Sequence, residues 1–260
     1  MFPDLAAEYA TRLRMATLQV PTAPDQALTA ADGAALPKTV RRYLLRSGAI
    51  GKPAVRSFHI VYDAVMSQRP GQAGLAGPAD QFNVVQPVRR LFFMATRMAG
   101  LPMAVLHDYA GHDASMQVRI LRLFKVADRH DAELARVETV TLLNDLCFWA
   151  PSALIGPQFQ WRELGDGQVG VTFTNEPHTV CATLQFDADG DLVDFVSDDR
   201  AMAQRDGTLK RQRWSTPMHD RREVQGRRVP TRGEAIWHQP EGPFVYGRFT
   251  VRSIRFDEGG

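Results

Sequence analysis

The sequence is poor in several features that indicate particular classes of protein. Its two cysteines, Cys147 and Cys181, are too few for a disulfide framework or a cysteine-based metal site. We therefore expect buried, reduced thiols and a cytoplasmic protein. No apolar run is long enough for a membrane helix, and charged residues interrupt the N-terminus too often for a signal peptide.

The chain also lacks a large excess of positive or negative charge. The 31 basic and 29 acidic residues leave a formal net charge of +2, which gives no global argument for nucleic acid or for an anionic membrane as a partner. Basic residues are frequent between Arg205 and Arg232, but on alternating strands such charges usually form the solvated face. We expect no nucleic-acid partner, and nothing in the sequence sets an oligomeric state.

Recognised cofactor and catalytic motifs are missing as well. The chain has no phosphate-cradling glycine loop, no dinucleotide fingerprint and no nucleophile-elbow serine. We therefore expect no cofactor. Asp187, Asp189 and Asp191 imitate the start of a calcium loop, but Asp198 stands where that loop needs a glutamate. A hairpin turn is the better interpretation of this segment, and we expect no metal.

What the sequence does contain is a change of hydrophobic period along the chain. Apolar residues are spaced as in a helix from Leu5 to Val20, and a second helix is predicted from Pro37 to Ser47. From Val55 onward the period is two, with Gly and Pro between short segments. This predicts a mainly β (α+β) fold: a large curved antiparallel sheet or half-barrel of about ten strands, covered by a central helix, with two N-terminal helices. The expected division is 1–35, N-terminal helix and linker, and 36–260, a single β-rich domain.

The central helix is predicted from Leu134 to near Trp149, before Pro151. Asn144 and Asp145 lie beside its apolar face. Polar residues at such positions are more often solvated; the alternative is that they are hydrogen-bonded polar groups of a pocket.

Several segments together carry a family resemblance. They are LPKTVRRYLLRSG from residue 36, TVTLLNDLCFWAPSAL from residue 139, ATLQFDADGDLVDFVSDDR from residue 182, WSTPM from residue 214 and GRRVPTRGEAIWHQPEGPFVYGRF from residue 226. These resemble an uncharacterised bacterial family with a domain of unknown function. The resemblance implies the curved half-barrel with a helical lid of bacterial lipoprotein carriers, and it implies no established activity.

The leading functional hypothesis is that a small apolar or lipid-like ligand binds on the concave side of the curved sheet. The unusually apolar central stretch beside a polar pair motivates it. The candidate ligand-binding residues are Asn144, Asp145, Phe148, Trp149, Asp199, Arg200, Phe93 and Met98, with Phe92, Met94 and Leu154 as further apolar lining.

Two other functions stay open. The protein could be an enzyme of unknown reaction in which Asp145, Asp199 or His107 acts as acid or base in the same pocket. His107, Asp108 and His112 are also close enough in sequence to be weighed as metal ligands, although lone histidines are more often structural. The third hypothesis is a protein-interaction module that uses a sheet edge or the N-terminal helix.

Overall fold

The computed structural model describes residues 4–22, 26–121, 124–203 and 208–257. Within these ranges lie three α-helices, α1 (Leu5–Thr17), α2 (Lys38–Arg46) and α3 (Ala132–Trp149), and a short 3₁₀ helix at Pro151–Ile155. The strands are β1 (Ser57–Met66), β2 (Leu75–Val84), β3 (Arg89–Met98), β4 (Leu101–Ala110), β5 (Asp113–Ile120), β6 (Phe124–Arg129), β7 (Phe159–Gly165), β8 (Gln168–Asn175), β9 (His178–Phe186), β10 (Leu192–Ser197), β11 (Ala201–Ala203), β12 (Leu209–Arg211), β13 (Trp214–Ser215), β14 (Met218–Val224), β15 (Arg227–Gln239) and β16 (Gly242–Phe256).

Fourteen of these strands form one antiparallel sheet, in the order β6-β5-β4-β3-β2-β1-β16-β15-β13-β10-β9-β8-β7, with β14 paired to β15. The last strand, β16, pairs with β1 and thereby joins the two halves of the chain. A separate small hairpin is made by β11 and β12.

The sheet curls around α3. This helix contacts β5 near one edge of the sheet, β15 in the middle, and β9 and β10 toward the other edge, which one helix can do only if the sheet is concave toward it. Asp131 caps the first turn by accepting a hydrogen bond from the backbone N–H of Leu134 at 2.8 Å. Fifteen residues of α3 are buried, so the helix is enclosed in the concavity and does not lie over it as an exposed lid.

The opposite, convex face carries α1. Leu5, Tyr9 and Ala16 of this helix are buried in a second apolar cluster with Phe82, Leu91 and Leu106 from strands β2, β3 and β4. The rings of Tyr9 and Phe93 stack with centroids 5.2 Å apart. The concave and convex cores are therefore separated by the sheet itself.

The predicted fold class is confirmed: a large curved antiparallel sheet, a central helix and two N-terminal helices. The sheet has more strands than the ten predicted, partly because β2 contains Gly77 and Pro78, residue types that were expected between strands. The boundary proposed at residue 35 stays a prediction. No helix in the described ranges is long and apolar enough to cross a membrane.

Candidate functional site

A cavity lies on the concave side between α3 and the strands on both sides of β16. Counted as the space that the centre of a water molecule can occupy, its volume is about 200 Å³, whereas a single buried water needs about 10–15 Å³ on that measure. Its lining combines polar and charged side chains with eight large apolar ones, which are Tyr62, Met66, Phe92, Trp149, Trp214, Met218, Tyr246 and Phe249. Its rim includes the exposed Arg232 and the half-buried Glu234, so the cavity opens to solvent.

One part of the cavity wall is a buried polar network centred on Arg90. The guanidinium donates from Nε to Asp145 Oδ2 at 2.7 Å and from Nη1 to Glu138 Oε2 at 3.1 Å. Gln81 donates a further hydrogen bond to Asp145 Oδ2 at 2.8 Å. Because Arg90 comes from β3 and both carboxylates from α3, this network fixes the helix relative to the sheet.

Glu138 has a second partner in His107 on β4. The imidazole Nδ1 lies 3.0 Å from Glu138 Oε1, and the ring also meets Phe92 edge to face with centroids 6.0 Å apart. His107 lines the cavity and is partly exposed. A carboxylate bonded to one ring nitrogen fixes the imidazole orientation and favours the tautomer whose other nitrogen can accept a proton.

The two carboxylates on α3 are shifted in opposite directions. Burial opposes ionisation of Glu138, but His107 and Arg90 outweigh it, and the pKa of Glu138 is lowered from 4.5 to about 2. For Asp145 burial is the stronger effect, and its pKa is raised despite the opposing charge and hydrogen bond of Arg90. Glu138 is therefore a firmly held anion, whereas Asp145 gives up its proton less readily.

Arg200 occupies the other side of the cavity. Its guanidinium carbon lies 4.2 Å from the ring centroid of Trp214, and Nη1 donates to the Tyr246 hydroxyl at 3.1 Å. Trp214 Nε1 donates to the same hydroxyl oxygen at 3.1 Å. These contacts hold the arginine against an aromatic wall.

The structure brings four of the sequence-predicted site residues to this cavity, Asn144, Asp145, Trp149 and Arg200, together with the further candidate Phe92. Asn144 and Asp145 are 5% and 4% exposed, so the more frequent solvated outcome does not hold for them. Their neighbours supply the reason, because Thr216 donates to Asn144 Oδ1 and Arg90 and Gln81 donate to Asp145.

The other predicted site residues lie elsewhere. Phe148 is buried in the main core and Met98 is near the end of β3, neither of them lining the cavity. Asp199 is bonded by Arg136 at 2.9 Å and by the backbone N–H of Cys181 at 2.7 Å. Phe93 is on the convex face against Tyr9, because side chains of a strand alternate between faces and Phe92 has the concave position.

The weaker metal hypotheses are not supported by the placement of their residues. His107 faces Glu138 on the concave side, whereas the neighbouring Asp108 is bonded by Arg12 and Arg89 where β4 meets α1. Asp187 accepts backbone N–H bonds from Asp189 and Asp191 at 3.0 and 2.9 Å, as in a hairpin turn. In the described part of the chain no group of three or more His, Cys, Asp or Glu residues is placed to hold a metal ion.

Sequence reasoning did not select Glu138, Arg90, Trp214 or Tyr246. For Glu138 a signal existed: Glu138, Thr141, Asp145 and Trp149 are spaced three, four and four residues apart, which places them on one face of a helix. For Arg90 the signal was its alternation with Phe92. Trp214 and Tyr246 are on strands distant in sequence, and only the sheet order brings them together.

Comparison with known proteins gives a family and a set of structural likenesses. No curated protein matches the sequence. Three solved structures are similar to this chain. They are an outer membrane lipoprotein-sorting protein domain from Vibrio parahaemolyticus, a LolA superfamily protein from Nitrosomonas europaea and a DUF1329 family protein from Desulfovibrio piger ATCC 29098. In that order, their sequences are 10%, 11% and 11% identical to this one, and their TM-scores are 0.43, 0.44 and 0.43. The matches cover 78%, 84% and 79% of this chain, and 86%, 94% and 88% of the other chains.

Likenesses at this level show nothing about the function of this chain. The match to a family model, in contrast, covers enough of the chain to assign it to a family. The family of unknown function DUF6544 matches residues 26–249, and since this is most of the chain, the protein belongs to the DUF6544 family, as the resemblance to an uncharacterised family predicted.

Proposed function

We propose that this protein binds a small apolar or lipid-like molecule in the cavity on the concave side of its sheet. The observation that carries the proposal is the cavity itself: about 200 Å³ of space beside α3, whose lining includes six large aromatic side chains and two methionines. Because the cavity opens to solvent, its apolar side chains face water, although protein interiors are otherwise close-packed. A ligand with apolar surface would displace that water and bury this surface, which is favourable.

The composition of the walls supports an apolar ligand in particular. Flat rings and flexible thioethers offer a large contact area, and methionine adapts to irregular ligand shapes. Small-molecule sites commonly combine such walls with a few convergent polar groups. Here the polar groups include Asn144, Arg200 and the hydrogen-bonded network of Arg90 with Asp145 and Glu138.

The first experiment is native mass spectrometry of the purified protein, followed by solvent extraction and identification of what is released. We expect one small apolar molecule per chain, or binding of the uncharged fluorescent probe N-phenyl-1-naphthylamine by the empty protein. A bare protein that also fails to bind this probe would contradict the proposal.

A cavity-filling variant tests the location. Ala235 is buried in β15 and lines the cavity, so Ala235→Phe places an aromatic ring where the ligand would lie and should abolish probe binding. The matched control is Ala76→Phe, the same change at an exposed position of β2. If Ala235→Phe is folded, as circular dichroism would show, and binds the probe as tightly as the wild type, the site lies elsewhere.

A second candidate function is favoured by the pairing of His107 with Glu138. An imidazole held by a buried carboxylate at 3.0 Å beside a cavity has the arrangement of a general base that activates water, a role that contributes about 10²–10⁴-fold to a rate. In this alternative the protein hydrolyses an apolar ester bound in the cavity.

Uncharged p-nitrophenyl esters test the enzyme hypothesis. We expect hydrolysis above background that His107→Gln removes, while the same change at the exposed His130 leaves it intact. No hydrolysis by the wild type, or equal rates in wild type and His107→Gln, would exclude a base role for His107 toward these esters.

A further inference from the structure

We infer that the ligand of the cavity is an amphipathic molecule whose anionic head group, a carboxylate or a phosphate, binds the guanidinium of Arg200. The inference rests on the proposed function and specifies the chemical class of the ligand. It is drawn from the cations that line the cavity and from which of them already have a carboxylate partner.

Arg200 is the cation at this cavity whose charge has no carboxylate partner in the described part of the chain. No Asp or Glu oxygen of those residues lies within 4.0 Å of its nitrogens. Its Nη1 donates to a neutral hydroxyl, that of Tyr246, and its Nε is buried without a hydrogen-bond partner. A partly buried guanidinium in this state is stabilised by an external acceptor.

The carboxylates nearest to Arg200 in sequence are engaged elsewhere. Asp198 accepts from Arg213 at 2.9 Å and 3.0 Å, and Asp199 is bonded by Arg136 and by the backbone N–H of Cys181. The electrostatic field of Arg200 also reaches Glu138. However, the Glu138 oxygens are bonded by Arg90 and by His107.

The other arginines of the cavity have partners. Arg90 is bonded to both Asp145 and Glu138, and the exposed Arg232 lies 3.1 Å from Asp220. An anion entering the cavity would have to compete with these carboxylates for Arg90 or Arg232. At Arg200 it meets no such competition.

The aromatic surroundings also orient Arg200 for this role. With the guanidinium carbon 4.2 Å from the Trp214 ring centroid and 5.6 Å from that of Trp237, the rings pack against the cation, whose N–H groups donate in the guanidinium plane. The planar N–H groups match the oxygens of a carboxylate or phosphate. The same cavity then offers the aromatic and methionine walls described above to an apolar tail.

The test compares ligands that share a tail and differ in their head groups. Dodecanoate, dodecyl phosphate and the uncharged 1-dodecanol are titrated against protein loaded with N-phenyl-1-naphthylamine, the two anions below their critical micelle concentrations and the alcohol below its solubility limit. We expect at least one of the two anions to bind about tenfold or more tightly than 1-dodecanol, and the stronger anion identifies the head group.

Two variants assign the effect to Arg200. Arg200→Met keeps an unbranched apolar side chain without the charge and should remove the preference for the anion over 1-dodecanol. Arg200→Lys should restore part of that preference. Arg232→Met is the matched control, because it removes a guanidinium at the same cavity that is already paired, and it should change the preference less than twofold.

The outcomes separate this inference from the proposed function. If 1-dodecanol binds and neither anion binds more tightly, or if Arg200→Met weakens all ligands equally, the head-group assignment is wrong and apolar binding stands. If neither the probe nor any of the three ligands binds to folded wild-type protein, the proposed function fails and the assignment fails with it.

Discussion

Arg90 and Asp145 are joined by a hydrogen bond of 2.7 Å from Nε to Oδ2, which links strand β3 to helix α3 inside the concave face. Both side chains are buried, and Glu138 is a second carboxylate partner of the same guanidinium. Burial of these charges is tolerated because each has a partner of opposite sign.

Arg90→Met is therefore expected to destabilise the protein strongly. Removal of one member of a buried ion pair typically costs about 3–5 kcal/mol, because the remaining charge is left without a partner, and here two carboxylates lose Arg90. Urea unfolding at pH 7 measures the free energy of unfolding. Arg252→Met, which breaks the exposed pair with Asp63, is the control and should have little effect; similar losses in both variants would contradict the assigned role of Arg90.

The lowered pKa of Glu138 implies a specific dependence of the free energy of unfolding on pH. Its pKa in the folded protein is about 2, against an ordinary value of 4.5, so the folded state favours the ionised form. The stability that this group contributes is complete above about pH 4.5 and is lost as the pH falls toward 2. The wild type should exceed Glu138→Gln in stability at pH 6, and the difference should narrow steadily below pH 4.5. A difference that is constant from pH 6 to pH 3 would contradict the shift.

The raised pKa of Asp194 implies the opposite change, a loss of stability as the pH rises. Burial raises its pKa from 3.8 to about 6, so the folded state holds the proton more tightly, and ionisation of Asp194 lowers stability as the pH rises from about 4 through 6. Asp194→Asn keeps an oxygen that can accept from the backbone N–H groups of Phe195 and Thr216, at 2.8 and 3.0 Å. The variant should equal the wild type in stability near pH 4 and be more stable at pH 7. Thermal unfolding at the two pH values decides this, and a less stable variant at pH 7 would count against it.

The sheet and α3 were predictable because their signals are local. The alternation of apolar residues after Val55 and the helical spacing from Leu134 to Trp149 are short-range patterns, and these periods follow from backbone geometry. Local patterns do not reveal the order of the strands within the sheet. The pairing of β1 with β16 brings residues nearly 200 positions apart into contact, and no periodicity encodes it.

The same limit explains which of the predicted residues the structure brings to the cavity. Asn144, Asp145 and Trp149 come from one helix, so their proximity could be predicted from spacing alone. Arg90 and Tyr246 reach the cavity through long-range strand pairing. Phe93 was assigned to the wrong face because an apolar run such as Leu91 to Ala95 has no polar residue to mark which side faces the cavity.

The alternation of Phe92 and Phe93 on β3 gives a final prediction, since the two rings lie on opposite faces of one strand. Phe92 lines the cavity, and Phe93 stacks on Tyr9 of α1 at 5.2 Å. Phe92→Ala should weaken probe binding several-fold, whereas Phe93→Ala should leave it unchanged.

Phe92→Ala and Phe93→Ala should also differ in how they affect the stability of α1. Phe93 is partly exposed, so Phe93→Ala should cost less than the about 3–5 kcal/mol of a fully buried phenylalanine. Because the lost contact is with α1, hydrogen exchange in residues 5–17 should rise more in Phe93→Ala than in Phe92→Ala. Titration with N-phenyl-1-naphthylamine and hydrogen exchange of the same two variants provide the comparison. If Phe93→Ala weakened probe binding and left α1 protected, the assignment of the two faces would be wrong, and with it the separation of the cavity from the convex core.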